Sequence, residues 1–158
     1  MKRLFTAVLV TVIAMCLAAC GSAKSTDAVS VGEKVMKEAS GFPEMKTITS
    51  KDKDADINFS TLCDFDYSKV SSFYYAYASD GTAPEVAVVS LKSADDTADL
   101  MSSIKDHVKT REGTMQEYTP DQVAMVQSYI LVQKNGTVGF FIGKGAASLE
   151  KSFKAEVK

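Results

Sequence analysis

The chain has 158 residues, with 18 Lys or Arg against 20 Asp or Glu and a formal charge of −2. It therefore lacks the basic excess that nucleic acid binding draws on. Three cysteines and a single histidine leave little material for a disulfide framework or a two-histidine zinc site.

Met1, Lys2 and Arg3 form a basic start, and residues 4–17 are apolar except for Thr6 and Thr11. That is the layout of a secretory signal, and it closes on Leu17-Ala18-Ala19-Cys20, a lipobox. The apolar run falls short of the roughly 20 residues that span a bilayer, which disfavours an uncleaved anchor. The expected organisation is a signal peptide over 1–19 and a diacylglyceryl group on Cys20. Acyl chains there, palmitate among them, would hold the protein on the outer face of the cell membrane. Taking 19 residues from 158 leaves 139, one domain's worth, and losing Lys2 and Arg3 leaves 16 basic against 20 acidic side chains. Anionic lipid headgroups are thus as poor a match as nucleic acid. Cys16 would leave with the signal and Cys20 would carry lipid, so Cys63 stands alone. Its neighbours Ile57, Phe59 and Leu62 predict burial as a small hydrophobe.

Residues 20–29 read as the lipidated cysteine and a flexible tether, small and polar, whose nine residues beyond Cys20 reach roughly 15 to 18 Å as a coil. A single domain is expected over 30–158. Ser30 with Glu33 has capping-box spacing, Val31, Val35 and Ala39 share one helical face, and Gly41 with Pro43 ends the helix. Residues 44–67 read as a loop with one helical turn near Ser60. Phe73, Tyr75 and Tyr77 then alternate with Ser72, Tyr74 and Ala76, the period of a strand. Asp80-Gly81-Thr82 makes a turn into a valine-rich strand over 85–91.

Ser93 caps the next helix, with Asp95, Asp96 and Asp99 at its positive end, Lys105, Lys109 and Arg111 towards its negative end, and Leu100, Met101, Ile104 and Val108 as the apolar stripe. Thr119, Pro120 and Gln122 start a short helix leading into a strand over 128–134. Asn135-Gly136 suits a type I′ turn, 137–142 returns as a strand, and a final helix runs from Ala146 to about Ala155 with Leu149 and Phe153 inward. The order predicts an α+β fold: two hairpin-helix units forming an antiparallel sheet with helices packed mainly on one face, plus an N-terminal helix.

The chemistry-bearing residues assemble poorly. Asp52, Asp54 and Asp56 open like a calcium loop, but Ile57 takes the glycine position and Cys63 the place of the bidentate glutamate, so a solvated charge run is expected. His107 reads as a structural histidine in mid-helix. Gly139, Gly143 and Gly145 lack a Walker order and read as turn and helix start. Asp64, Asp66 and Glu85 are carboxylates without a visible cleft. In a one-sided sheet, alternate members of Phe73, Tyr74, Tyr75 and Tyr77 would point away from the helices, making them the candidate binding residues unless the N-terminal helix covers them. The expected function is a non-enzymatic binding or interaction module of the cell envelope, with an envelope protein or glycan as partner. The alternatives are a small-ligand carrier with an apolar pocket between sheet and helices, or an envelope hydrolase using carboxylates. No catalytic residue, cofactor or metal ligand is assigned.

From about Lys69 to Phe153 the chain resembles an uncharacterised lipoprotein family of Gram-positive, Clostridia-like bacteria, domain of unknown function 4358. The resemblance rests on Ala83-Pro84-Glu85-Val86-Ala87-Val88 entering a strand, the acidic helix start at Asp95, and Tyr118-Thr119-Pro120-Asp121-Gln122 before the last hairpin. His107 stands near where the resemblance would place an arginine. It implies a lipid-anchored extracytoplasmic protein and offers no catalytic residues.

Overall fold

A computed structural model describes residues 26–158. The signal over 1–19, Cys20 and the tether up to Ser25 lie outside the described residues. Asp27 starts α1 (Ala28–Met36) by accepting the N–H of Val29 at 3.1 Å. The helix thus begins within the stretch assigned to the tether, ahead of the Ser30–Glu33 box. Ser72 fixes that start, since its Oγ accepts the N–H of Ala28 and donates to the carbonyl of Thr26.

The next elements are β1 (Met45–Thr49), α2 (Ala55–Phe59), β2 (Val70–Ala78) and β3 (Glu85–Leu91). They are followed by α3 (Thr97–Tyr118), α4 (Val123–Gln127), β4 (Ile130–Lys134), β5 (Thr137–Ile142) and α5 (Ala146–Glu156). The strands form one antiparallel sheet in the order β1-β2-β3-β5-β4. Both expected hairpins are present, and Asn135 (φ 49°) and Gly136 (φ 72°) take the positive φ values that a type I′ turn requires. Ser93 caps a short 3₁₀ turn that opens into α3.

The α+β class, the antiparallel sheet and the two hairpin-helix units are as the sequence predicts. The helices, however, divide between the two faces of the sheet. Because side chains alternate along a strand, Phe73 and Tyr75 of β2 face a core shared with Phe59, Leu100, Ile104 and Val126. Tyr74 and Ala76 face a second core with Val31, Val35, Leu149 and Phe153. The physical reason is that β3 and β5 are buried at every residue. Strands apolar on both sides need cover on both sides, and α1 with α5 supplies the second layer.

Two elements lie in the segment read as a loop. β1 is an edge strand with only Ile48 buried, and α2 is a five-residue helix that inserts Ala55 and Phe59 into the first core. Among the described residues no helix is long and apolar enough to cross a membrane.

Candidate functional site

Burial decides the fate of the aromatic candidates. Phe73 and Tyr75 lie under α2 and α3, Tyr74 lies under α1, and all three are buried; Tyr77 alone is half-buried. A surface aromatic patch built from Phe73, Tyr74 and Tyr75 is therefore not formed. The reason is again the second helical layer, which covers the face that a one-sided sheet would leave open.

Glu85 is the unexpected residue. It opens β3 and is 1% exposed, although carboxylates are almost never fully buried unless paired. Three donors surround it. Tyr75, on the neighbouring strand, donates its phenolic O–H to Oε2 at 2.9 Å. Nε2 of His107 lies 2.7 Å from the same oxygen and donates to it when the ring proton is on that nitrogen. Nε of Arg111 approaches Oε1 at 2.5 Å. The Arg111 contact is an ion pair by distance only, because its N–H points off the oxygen and makes no hydrogen bond. A second arm of the guanidinium, Nη2, donates to the carbonyl of Thr82 at 2.9 Å.

Local structure explains the convergence. His107 and Arg111 are one turn apart on α3 and share its inner face, continuing the stripe of Ile104 and Val108. Tyr77 is the register partner of Glu85, and Tyr75 sits two residues along β2 on the same face. The ring of His107 stands edge-on to Phe140 at 6.0 Å and to Tyr75 at 6.4 Å, which holds its orientation. Burial and the nearby Glu85 charge push the Tyr75 phenol far above its ordinary range, so it stays a donor.

The cluster forms the floor of a cavity of about 360 Å³, walled by Tyr75, Tyr77 and Ala78 and edged by Thr61, Ser79 and Gly81. Tyr75 and Tyr77 pack with ring centroids 5.2 Å apart, and Nζ of Lys46 lies 5.8 Å from the centre of the Tyr77 ring. His107 also borders a larger groove of about 590 Å³ that includes Asp64, Asp99, Ser102 and Asp106. Its carboxylates are solvated, so the smaller cavity is the one that combines buried charge with an aromatic wall.

The remaining candidates stay apart. Asp64 and Asp66 are exposed; Asp66 accepts the N–H of Ser68 to cap a 3₁₀ turn, and that bonding holds its carboxyl below its ordinary range. Asp52 accepts the N–H of Thr49 at 2.7 Å, while Asp54 and Asp56 flank the start of α2. Among the described residues no three His, Cys, Asp or Glu side chains group to hold a metal ion. Cys63 is a buried free thiol, pushed by that burial up to about 11. Gly143 leaves room for the ring of Phe42, and Gly145 takes a left-handed φ of 83° before α5.

In the sequence Glu85 reads as one of three scattered carboxylates, His107 as a structural histidine and Arg111 as a helix-end charge, so nothing joins them. The available signal was a carboxylate at the head of a strand that is otherwise all apolar or small, Val86 to Leu91, plus a His-x-x-x-Arg spacing on a core-facing helix.

The fold and cluster define an α+β domain whose sheet is covered by helices on both faces, with four side chains, Tyr75, Glu85, His107 and Arg111, tied together at one end of it. Over residues 45–143 the chain matches the family described as Domain of unknown function (DUF4358), and it belongs to that family. The match runs from the start of β1 to just past β5, the whole sheet with the cluster inside it. No curated protein and no solved structure matches the chain.

Proposed function

We propose that this protein is a lipid-anchored, non-enzymatic binding module on the outer face of the cell membrane, and that it receives a small ligand in the Tyr77 cavity. The observation that carries the reading is the convergence of Tyr75, His107 and Arg111 on the buried Glu85 at the floor of an aromatic-walled cavity of about 360 Å³. Ligand sites combine an apolar wall with a few fixed polar groups in this way, and the volume lies within their usual range. The anchoring part rests on the basic start, the apolar run and the lipobox ending at Cys20. The carboxylate-hydrolase alternative lacks its motivating geometry, since Glu85 is buried among donors while Asp64 and Asp66 are exposed.

The placement of the cavity supports presentation away from the anchor. The described chain enters beside Ser72, which pairs with Ser90, whereas the cavity adjoins the Tyr77–Glu85 pair, five residues along β3. At about 3.3 Å per residue those two ends of the hairpin are roughly 17 Å apart.

Two measurements test the reading. Radiolabelled palmitate should enter the wild-type protein and not Cys20→Ala; labelling of that variant would remove the anchor. A thermal-shift survey of the full-length chain against small metabolites should find ligands that stabilise it. Thr61→Trp, which fills the rim of the cavity, should abolish the stabilisation; ligands that shift both forms equally would place binding elsewhere.

A further inference from the structure

The donors and acceptors around the Tyr77 cavity are unequal, and the imbalance selects a ligand. Glu85 is the only carboxylate among the lining residues, and it is 1% exposed with both oxygens engaged. It has little left to offer a cation. Arg111 is different: its guanidinium carries five N–H groups, of which Nε faces Glu85 and Nη2 holds the Thr82 carbonyl. The rest of the fork has no partner among the described residues, and the side chain, 20% exposed, borders the cavity. Lys46 does not line the cavity but stands beside it, its Nζ 5.8 Å from the centre of the Tyr77 ring. Threonine and serine hydroxyls complete the edge.

From this arrangement we infer that the cavity takes a small carboxylate carrying a flat apolar body. The inference rests on the reading of the cavity as a binding site. The carboxylate would accept from the outer edge of the Arg111 fork, a geometry in which planar donors and planar acceptors match. The apolar body would lie against Tyr77 and Ala78, with the size limited by the cavity volume of about 360 Å³. Glu85 does not repel it strongly because Arg111 at 2.5 Å offsets that charge, and Lys46 beside Tyr77 adds a positive charge nearby. An amine of the same shape would face Arg111 and find no open acceptor of opposite charge.

The test uses the full-length chain in detergent and three probes of one shape: 4-fluorobenzoate, 4-fluorobenzyl alcohol and 4-fluorobenzylamine. Binding is followed by fluorine line width, corrected for empty micelles, and by the Nε–Hε resonance of Arg111. The benzoate should bind tightest and move that resonance. Arg111→Gln should weaken it about tenfold or more, as loss of a charge-assisted hydrogen bond implies. If Arg111→Gln does not fold, Arg111→Lys keeps the charge beside Glu85 while removing the fork, and the same preference should be lost. Amine binding equal to or tighter than benzoate, with all three probes weakened by Tyr77→Ala, would overturn the carboxylate class and leave the site standing. If no probe binds, or Tyr77→Ala changes nothing, the site itself is wrong.

Discussion

Gly32 of α1 rests directly on the ring of Tyr74: a Cβ on Gly32 would lie 2.2 Å from Cγ of that ring and 2.5 Å from its Cβ. This contact sets how closely the N-terminal helix approaches the sheet. It also decides that Tyr74 is covered, which removes it from the surface on which a partner would dock.

Gly32→Ala should therefore destabilise the domain. Alanine gains about 1 kcal/mol over glycine in a helix interior, but the atoms it meets are at the root of the tyrosine side chain and cannot swing away. Overpacking of that kind costs about 1–3 kcal/mol, so the steric term wins. The check is a lower urea midpoint with an unchanged slope; a higher midpoint would show that α1 lifts freely.

Removing one partner of the buried Glu85–Arg111 pair should cost more than removing both. Arg111→Met leaves the buried Glu85 with only Tyr75 and His107 beside it and no arginine charge, and breaking a buried pair in this way costs about 3–5 kcal/mol. The double variant Glu85→Leu with Arg111→Met should recover much of that loss. A double-mutant cycle measures the coupling, and strict additivity of the two losses would mean that the 2.5 Å approach contributes no stability.

Stability should fall on the alkaline side. Burial raises the thiol of Cys63 from 9.0 to about 11 in the folded state, so between those values the unfolded chain gives up a proton that the folded chain keeps. The unfolded state then binds fewer protons and gains on the folded one as pH rises. Two pKa units correspond to roughly 3 kcal/mol at most. Tyr74 and Tyr75, both raised chiefly by burial, add to the loss above pH 10 with the same sign. Urea midpoints measured from pH 8 to 11 should decline, with Cys63→Ala declining less; a flat profile in the wild type would contradict the burial of all three.

The helix beyond the family match should be essential to the fold. Phe153 is fully buried against Phe141, 6.0 Å between ring centroids. Phe153→Ala should cost about 3–5 kcal/mol, read as a drop in melting temperature. A loss within experimental error would make α5 an accessory.

Much of this fold was legible because its signals are local. Asn135-Gly136 and the Asp80-Gly81 turn fix two hairpins through backbone preference alone, and α3 carries its apolar stripe and acidic start on the surface of the sequence. β1 was not legible, since Met45 to Thr49 buries only Ile48 and owes its strand to pairing with β2 rather than to any pattern of its own. α2 is too short for periodicity to show, and Asp54 supplies it no side-chain cap. The two-layer cover was missed because aromatic alternation in β2 suggests a half-solvated strand. Its neighbour β3, and β5 beyond it, carried the contrary signal, small or apolar on both sides. The cluster was harder still: Glu85, His107 and Arg111 meet only once α3 has crossed back over the sheet, a long-range event that no short window contains.

The grip of Ser72 on the first described turn has a mechanical meaning. Under the proposed anchoring, any pull between domain and membrane arrives through Thr26 and is borne first by the two Ser72 hydrogen bonds and then by α1. That load would peel a helix off one side of the sheet instead of shearing its strands, and the Lys34–Glu156 pair to α5 is the next restraint in line. The opposite layer, with Glu85, His107 and Arg111, lies outside that line of force, so the cavity would keep its shape while the anchored side is strained.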